Sequence, residues 1–128
     1  MPLTVLHSFI HKTEEKTTSL TISLGECNKG DCALFMTLSD KVKKNRVKLG
    51  LDEVAGLAES LETNKNWSAF HTFITLENVE SKNKINYNDG FFSVEGNTRI
   101  AMKLTENERA AFKRVLEFAF KKMLAGKL

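Results

Sequence analysis

Apolar and polar residues alternate over four stretches of this 128-residue chain: TSLTISL (18–24), CALFMTL (32–38), RVKLGLDE (46–53) and RIAMKLTE (99–106). Period two marks a strand with one buried face. A fifth stretch, NKINY (83–87), runs into NDGFFSV (88–94), where Asp89-Gly90 signals a tight hairpin turn. Two more strands begin at LTVLHSFI (3–10) and WSAFHTFI (67–74). Both follow one template: Thr4 or Ser68, then Leu6 or Phe70, histidine, a hydroxyl residue, Phe and Ile.

That shared phrase is the start of an internal repeat. Arg46 matches Arg99, Val47 matches Ile100, Leu49 matches Met102, Leu51 matches Leu104, and Glu53 matches Glu106. After each match comes a helix-start signal, Asp52 in one copy and Thr105 in the other. Thr105 with Glu108 has the spacing of a capping box. Each half reads strand, strand, strand, strand, helix: an α+β chain of two ββββα repeats, 1–63 and 67–128, in a single domain. The spacing between copies is 64 residues at the opening phrase (3 to 67) and 53 at the fourth strand (46 to 99). Longer loops at 25–31 and 39–44 account for the difference, because loops tolerate insertion.

Alternation then assigns faces. Val47, Leu49 and Leu51, like Ile100, Met102 and Leu104, pack on the helices, leaving Arg46, Lys48, Arg99 and Lys103 on the opposite side. In the opening strands the pattern assigns Leu6, Ile10, Phe70 and Ile74 to the core, and His7, Phe9, His71 and Phe73 to the outside. Phe35 and Phe91 also fall outside if Leu34, Leu38, Phe92 and Val94 face in. Cations neutralise phosphates, and exposed rings stack on unpaired bases at ~1–3 kcal/mol per base. A sheet face carrying both therefore fits a single strand, whose bases are open. Equally open is a second interface filled by the aromatics, with the charges only solvating the sheet.

The last helix has an apolar stripe of Phe112, Leu116, Ala119 and Met123, widened by Val115, Phe118, Phe120 and Leu124. That arc is broader than one sheet can cover, which points to a homo-oligomer built around these helices.

Composition narrows the class. Hydrophobic residues make up 41% and charged residues 27%, an ordinary globular balance. The net charge of +3 permits a polyanionic partner without requiring one. Two cysteines, Cys27 and Cys32, are too few for a disulfide framework and suit a reducing, cytoplasmic setting, with Cys32 as a small core residue. No apolar run reaches the ~20 residues of a membrane helix, and no secretory or organellar leader is expected.

Other chemistry has weak signals. Cys27 and Cys32 with His7 and His11 lack the tight four-ligand spacing of zinc, so no metal is expected. His7 and His71 have no partnered nucleophile; a structural or base-contacting imidazole fits them better than a general base. KGD and NDG are turns, not a phosphate-cradling loop. The basic run SDKVKKN (39–45) reads as a solvated hairpin or a phosphate contact. No enzyme activity and no cofactor are expected.

Two four-strand-plus-helix units, the second ending in a long helix, resemble the Whirly single-stranded DNA-binding proteins. Mitochondrial RNA-binding proteins of RNA editing are relatives of that family. LDEVAGLAESLETNKNWSAFHTF (51–73) is similar to the family's first helix, link and Phe-His strand, and VEGNTRIAMKLTENERAAFKRVLEFAFKKMLAG (94–126) to its last strand and helix. KGDCAL (29–34) is similar to the family's Lys-Gly-Lys-Ala-Ala-Leu signature, keeping Lys29, Gly30, Ala33 and Leu34 but departing at Asp31 and Cys32. Pur repeats share the same unit.

The resemblance implies two sheets packed on two helices and a tetramer with its helices at the centre. Single-stranded DNA would lie along the sheets, largely without sequence preference. On that expectation Phe9, Phe35, Phe73 and Phe91 stack, while Lys29, Arg46, Lys48, Arg99 and Lys103 neutralise backbone. Trp67 aligns with Leu3, either as core at the strand entrance or at the groove's edge. RNA as the ligand of the same fold, and a protein-interaction scaffold, are the alternatives.

Overall fold

The computed structural model describes residues 3–26, 32–74, 80–96 and 98–126; of 72–74 and 80–81 it describes the backbone. The first unit runs β1 (Thr4–Lys12), β2 (Thr17–Leu24), β3 (Leu34–Ser39), β4 (Lys44–Leu49) and α1 (Leu51–Thr63). The second runs β5 (Trp67–Ile74), β6 (Glu80–Asn88), β7 (Phe91–Glu95), β8 (Arg99–Lys103) and α2 (Glu106–Ala125). Each set of four strands forms one antiparallel sheet in chain order. The fold is α+β, two ββββα units, as the alternation predicts.

Short polar side chains shape the connections. Asp40 Oδ1 accepts from the amides of Val42 and Lys43, at 2.8 and 2.7 Å, and so folds the β3–β4 turn. Between β6 and β7, Asp89 and Gly90 both have positive φ, 47° and 88°, which a type I′ hairpin requires. Beyond α1, Asn64 takes the left-handed conformation at φ 55°. Its Oδ1 accepts from the buried Tyr87 hydroxyl at 2.6 Å, and that hydroxyl accepts in turn from the Gly90 amide and Arg109.

The helix starts differ from one another. At α2 the capping box forms: Glu108 N donates to Thr105 Oγ1 at 3.1 Å, and Thr105 N to Glu108 Oε1 at 2.9 Å. At α1 the cap is Gly50 rather than Asp52. Glu53 reaches back to the Gly50 amide at 3.2 Å, so a carboxylate at the third helical position serves where no capping side chain stands.

One core joins all layers. Leu20, Ile22, Met36 and Leu49 come from the first sheet, Ile85, Phe92 and Val94 from the second, and Val54, Leu57, Phe112 and Leu116 from the helices. The stripe Phe112, Leu116, Ala119 and Met123 is buried as its spacing predicts. Where β4 meets the second sheet, Asn45 Nδ2 donates to the carbonyls of Val94 and Thr98, both at 3.0 Å.

In β1, Leu6 is half-buried against the core and His7 is exposed, as expected, but beyond the bulge at Val5/His7, and in β5 at Phe70 and His71, the faces are opposite to the expectation. Phe9 is in register with the buried Leu20 and packs on Phe112 of α2, ring centroids 5.8 Å apart. Ile10, expected in the core, is 63% exposed, and Phe70 is 70% exposed. His71, expected outside, is half-buried and donates from Nε2 to Glu53 at the start of α1. Ile74 and Phe73 have side chains outside the described residues. What sets the face is the register with β2 and β6, and a one-residue slip exchanges the two faces entirely.

Both histidine pairs cross between units. His11 of β1 meets Glu108 of α2 at 2.8–2.9 Å, and His71 of β5 meets Glu53 of α1. In each pair the glutamate is also the residue that closes its helix's first turn.

Cys32 corrects another expectation: it is half-buried against the core, but it is disulfide-bonded rather than a free thiol. Cys27 lies outside the described residues. No helix among them is long and apolar enough to cross a membrane.

Candidate nucleic-acid interface

Pleating sends alternate residues of each strand to the side away from the helices. On the first sheet this outer side reads as three rungs across β1, β2, β3 and β4: Val5, Ser23, Phe35, Lys48; then Ser8, Thr21, Thr37, Arg46; then Ile10, Ser19, Ser39, Lys44. Its centre is hydroxylic and its β4 edge is basic. Arg46 Nε donates to Thr37 Oγ1 at 3.3 Å, which holds the guanidinium along the surface.

The second sheet presents a different chemistry. One rung carries Phe70, Lys84, Glu95 and Arg99, the next Ser68, Asn86, Ser93 and Ala101, and a third Asn88, Phe91 and Lys103. Phe70 and Phe91 stand two rungs and two strands apart, roughly 16 Å from strand geometry. Glu95 is the acid within this otherwise basic and aromatic surface.

Three of the outer rings carry a lysine over their face. Lys48 lies 5.8 Å from the Phe35 centroid, Lys84 5.4 Å from Phe70, and Lys103 5.4 Å from Phe91. At an exposed site such a pair gains about 0.5–1 kcal/mol, little enough to give way to a stacking base.

The residues expected at the site divide accordingly. Phe35, Phe91, Arg46, Lys48, Arg99 and Lys103 are on the outer faces, with Phe35 half-buried and Phe91 44% exposed. Phe9 is core, 5% exposed, and is removed from the stacking set because α2 covers it. Trp67 sits on the inner side in register with Tyr87, its indole against Gly56 of α1, and belongs to the core edge. Lys29 lies outside the described residues, and Phe73 is placed by backbone alone.

Phe70, Lys84 and the hydroxyl field of the first sheet were missed. Phe70 went to the core because its phrase is apolar on both faces. Lys84 had a usable signal: it alternates with Ile85 and Tyr87, so it had to face away from them. Exposed His7 stands edge-on to Phe9, centroids 4.5 Å apart, at the rim of the core.

Elsewhere, a groove of about 270 Å³ runs along the contact of α1 with α2, lined by Val54, Ala58, Leu116 and Phe120 and by the ion-paired Glu62 and Lys113. Phe118 and Leu124 of α2 remain exposed. Among the described residues, no cluster of three or more His, Cys, Asp or Glu could hold a metal ion. Set against family models, curated proteins and solved structures, the chain matches none.

Proposed function

We propose that this chain binds single-stranded nucleic acid, DNA foremost, along the outer faces of its two sheets and largely without sequence preference. The observation that carries this reading is the set of ring–lysine pairs on those faces: Phe35–Lys48, Phe70–Lys84 and Phe91–Lys103. Stacking platforms beside cations are the chemistry a single strand selects, because a duplex hides the flat faces of its bases. Arg46, Arg99 and Lys44 add backbone contacts. The two faces divide the work unequally: Phe35 of the first sheet joins Phe70 and Phe91 of the second in taking bases, while the hydroxyl rungs of the first suit sugars and phosphates. Those hydroxyls also favour RNA as the second reading, since ribose offers a 2′-hydroxyl to them.

On the same reading the protein is a homo-oligomer, a tetramer through α2, for which the exposed Phe118 and Leu124 and the groove beside them are the support. A titration of labelled 30-mers as single-stranded DNA, duplex and RNA, at several salt concentrations, tests the function. Single strands should bind far more tightly than duplex, with affinity falling as salt rises. Replacing Arg46 and Arg99 together by Glu should abolish binding and leave the melting temperature nearly unchanged. Equal affinity for duplex, or indifference to those replacements, would leave the scaffold reading standing instead.

A further inference from the structure

The two sheets have four edge strands, and they are defended unequally. Edge β4 carries Lys44, Arg46 and Lys48, and edge β8 carries Arg99 and Lys103. Charges of this kind stop a strand edge from recruiting another strand. Edges β5, Trp-Ser-Ala-Phe-His-Thr-Phe-Ile, and β1, Thr-Val-Leu-His-Ser-Phe-Ile-His-Lys, have no acid, no proline and no cation before Lys12; β1, at nine residues, is the longer of the two. It has one neighbour, β2, and its outward side chains Val5 and Ile10 are 59% and 63% exposed. The nucleic-acid reading uses neither of them.

The spacing of those side chains identifies what pairs there. A bulge between Val5 and His7 shifts the register, so that Val5, Ser8 and Ile10 oppose Ser23, Thr21 and Ser19, three successive outer rungs of β2. Along the edge the row is therefore apolar, hydroxyl, apolar, symmetric about Ser8. An antiparallel copy related by a two-fold axis midway between the two Ser8 residues would set Val5 against Ile10 of the other copy, twice, and Ser8 against its own equivalent. The row is thus self-complementary, which makes a second copy of this strand a partner that fits it.

We infer that β1 pairs with β1 of a second copy of this chain, joining two first sheets into one continuous eight-stranded sheet. Cross-strand apolar pairs of this kind stabilise a sheet, and each of the two exposed residues gains an apolar neighbour across the new seam. This contact differs from the α2 surface, and two independent isologous contacts are what a tetramer of D2 symmetry needs.

Cross-linking decides the matter. Opposed residues of an antiparallel pair have Cα atoms about 4.5–5.5 Å apart, which falls within disulfide reach. Mild oxidation of Ser8→Cys should therefore give a dimer band on a non-reducing denaturing gel, whereas Val42→Cys, exposed on the β3–β4 turn, should not. In parallel, Ile10→Lys should raise the dissociation constant about tenfold or more, because the change enters the contact twice. Light scattering on gel filtration reads this, with near-ultraviolet circular dichroism checking the fold. A helix-surface variant, Leu124→Glu, separates the two contacts: it should leave the Ser8→Cys band intact. The inference is overturned if the protein is monomeric at high micromolar concentration. It is equally overturned if Ser8→Cys gives no more dimer than Val42→Cys, or if a well-folded Ile10→Lys associates as the wild type does.

Discussion

Phe9 and Phe70 occupy related phrases but lead opposite lives, one beneath α2 and the other in solvent. Their substitutions should separate stability from binding. Phe70→Ala should weaken single-strand binding by ~1–3 kcal/mol, the worth of one stacked base, while leaving the urea midpoint unchanged. Phe9→Ala should instead cost ~3–5 kcal/mol of stability, with binding by the surviving folded fraction intact. Anisotropy titrations beside urea melts read both, and a binding loss confined to Phe9→Ala would contradict the assignment of faces. The reason these faces were illegible lies in the phrase itself. Leu6, Phe9 and Ile10, or Phe70, Phe73 and Ile74, put large apolar groups on both sides of the strand, so period two has no polar phase to reveal. Partners distant in sequence, Leu20 for Phe9 and Lys84 for Phe70, decide the matter. In β4 and β8, where Arg and Lys alternate with Val, Leu, Ile and Met, the faces were plain from the text.

At the scale of elements, turns and caps were the most readable features, because their chemistry is local: Asp89-Gly90, and Thr105 with Glu108, act within four residues of themselves. What local text lacked was the second duty of Glu108. Partial desolvation pushes its carboxyl up, but hydrogen bonds from the Thr105 amide and His11 outweigh that and hold it below the usual glutamate range. A carboxyl lowered by folding adds stability at pH values above its ordinary range, and that contribution disappears as pH falls through the folded value. Glu108→Gln keeps a capping oxygen but cannot ionise. It should be less stable than the wild type at neutral pH, with the gap closing in acid; a gap that does not change with pH would refute this. The contact between α1 and β5 offers another test. A Cβ on Gly56 would lie 2.7 Å from Trp67 Nε1, so Gly56→Ala must displace the indole despite its better helix propensity. It should destabilise by about 1–3 kcal/mol, as overpacking does, and shift the emission of the sole tryptophan to the red.

For the whole molecule, doubling of the ββββα unit was legible and its consequences were not. The matched text around Arg46 and Arg99 showed that two halves exist, but packing between sheets depends on contacts such as Asn45 with the Val94 and Thr98 carbonyls, which no periodicity encodes. Nor do the copies superpose as their text aligns. Counting rungs from Arg46 and Arg99, Ser8 takes the place of Phe70, so the two halves carry different surfaces: one hydroxylic, the other aromatic. The crossed His–Glu pairs bear on how such a chain acquires its structure. Because β1 is tied to the later helix and β5 to the earlier one, neither half contains the group that completes it. Peptides 1–64 and 65–128 should each lack a cooperative melt alone, yet regain one when mixed in equal amounts, as followed by circular dichroism. The short link around Lys65 and Asn66 then serves chiefly to keep each half within reach of its complement, turning what would be a search between separate molecules into a closure inside a single one.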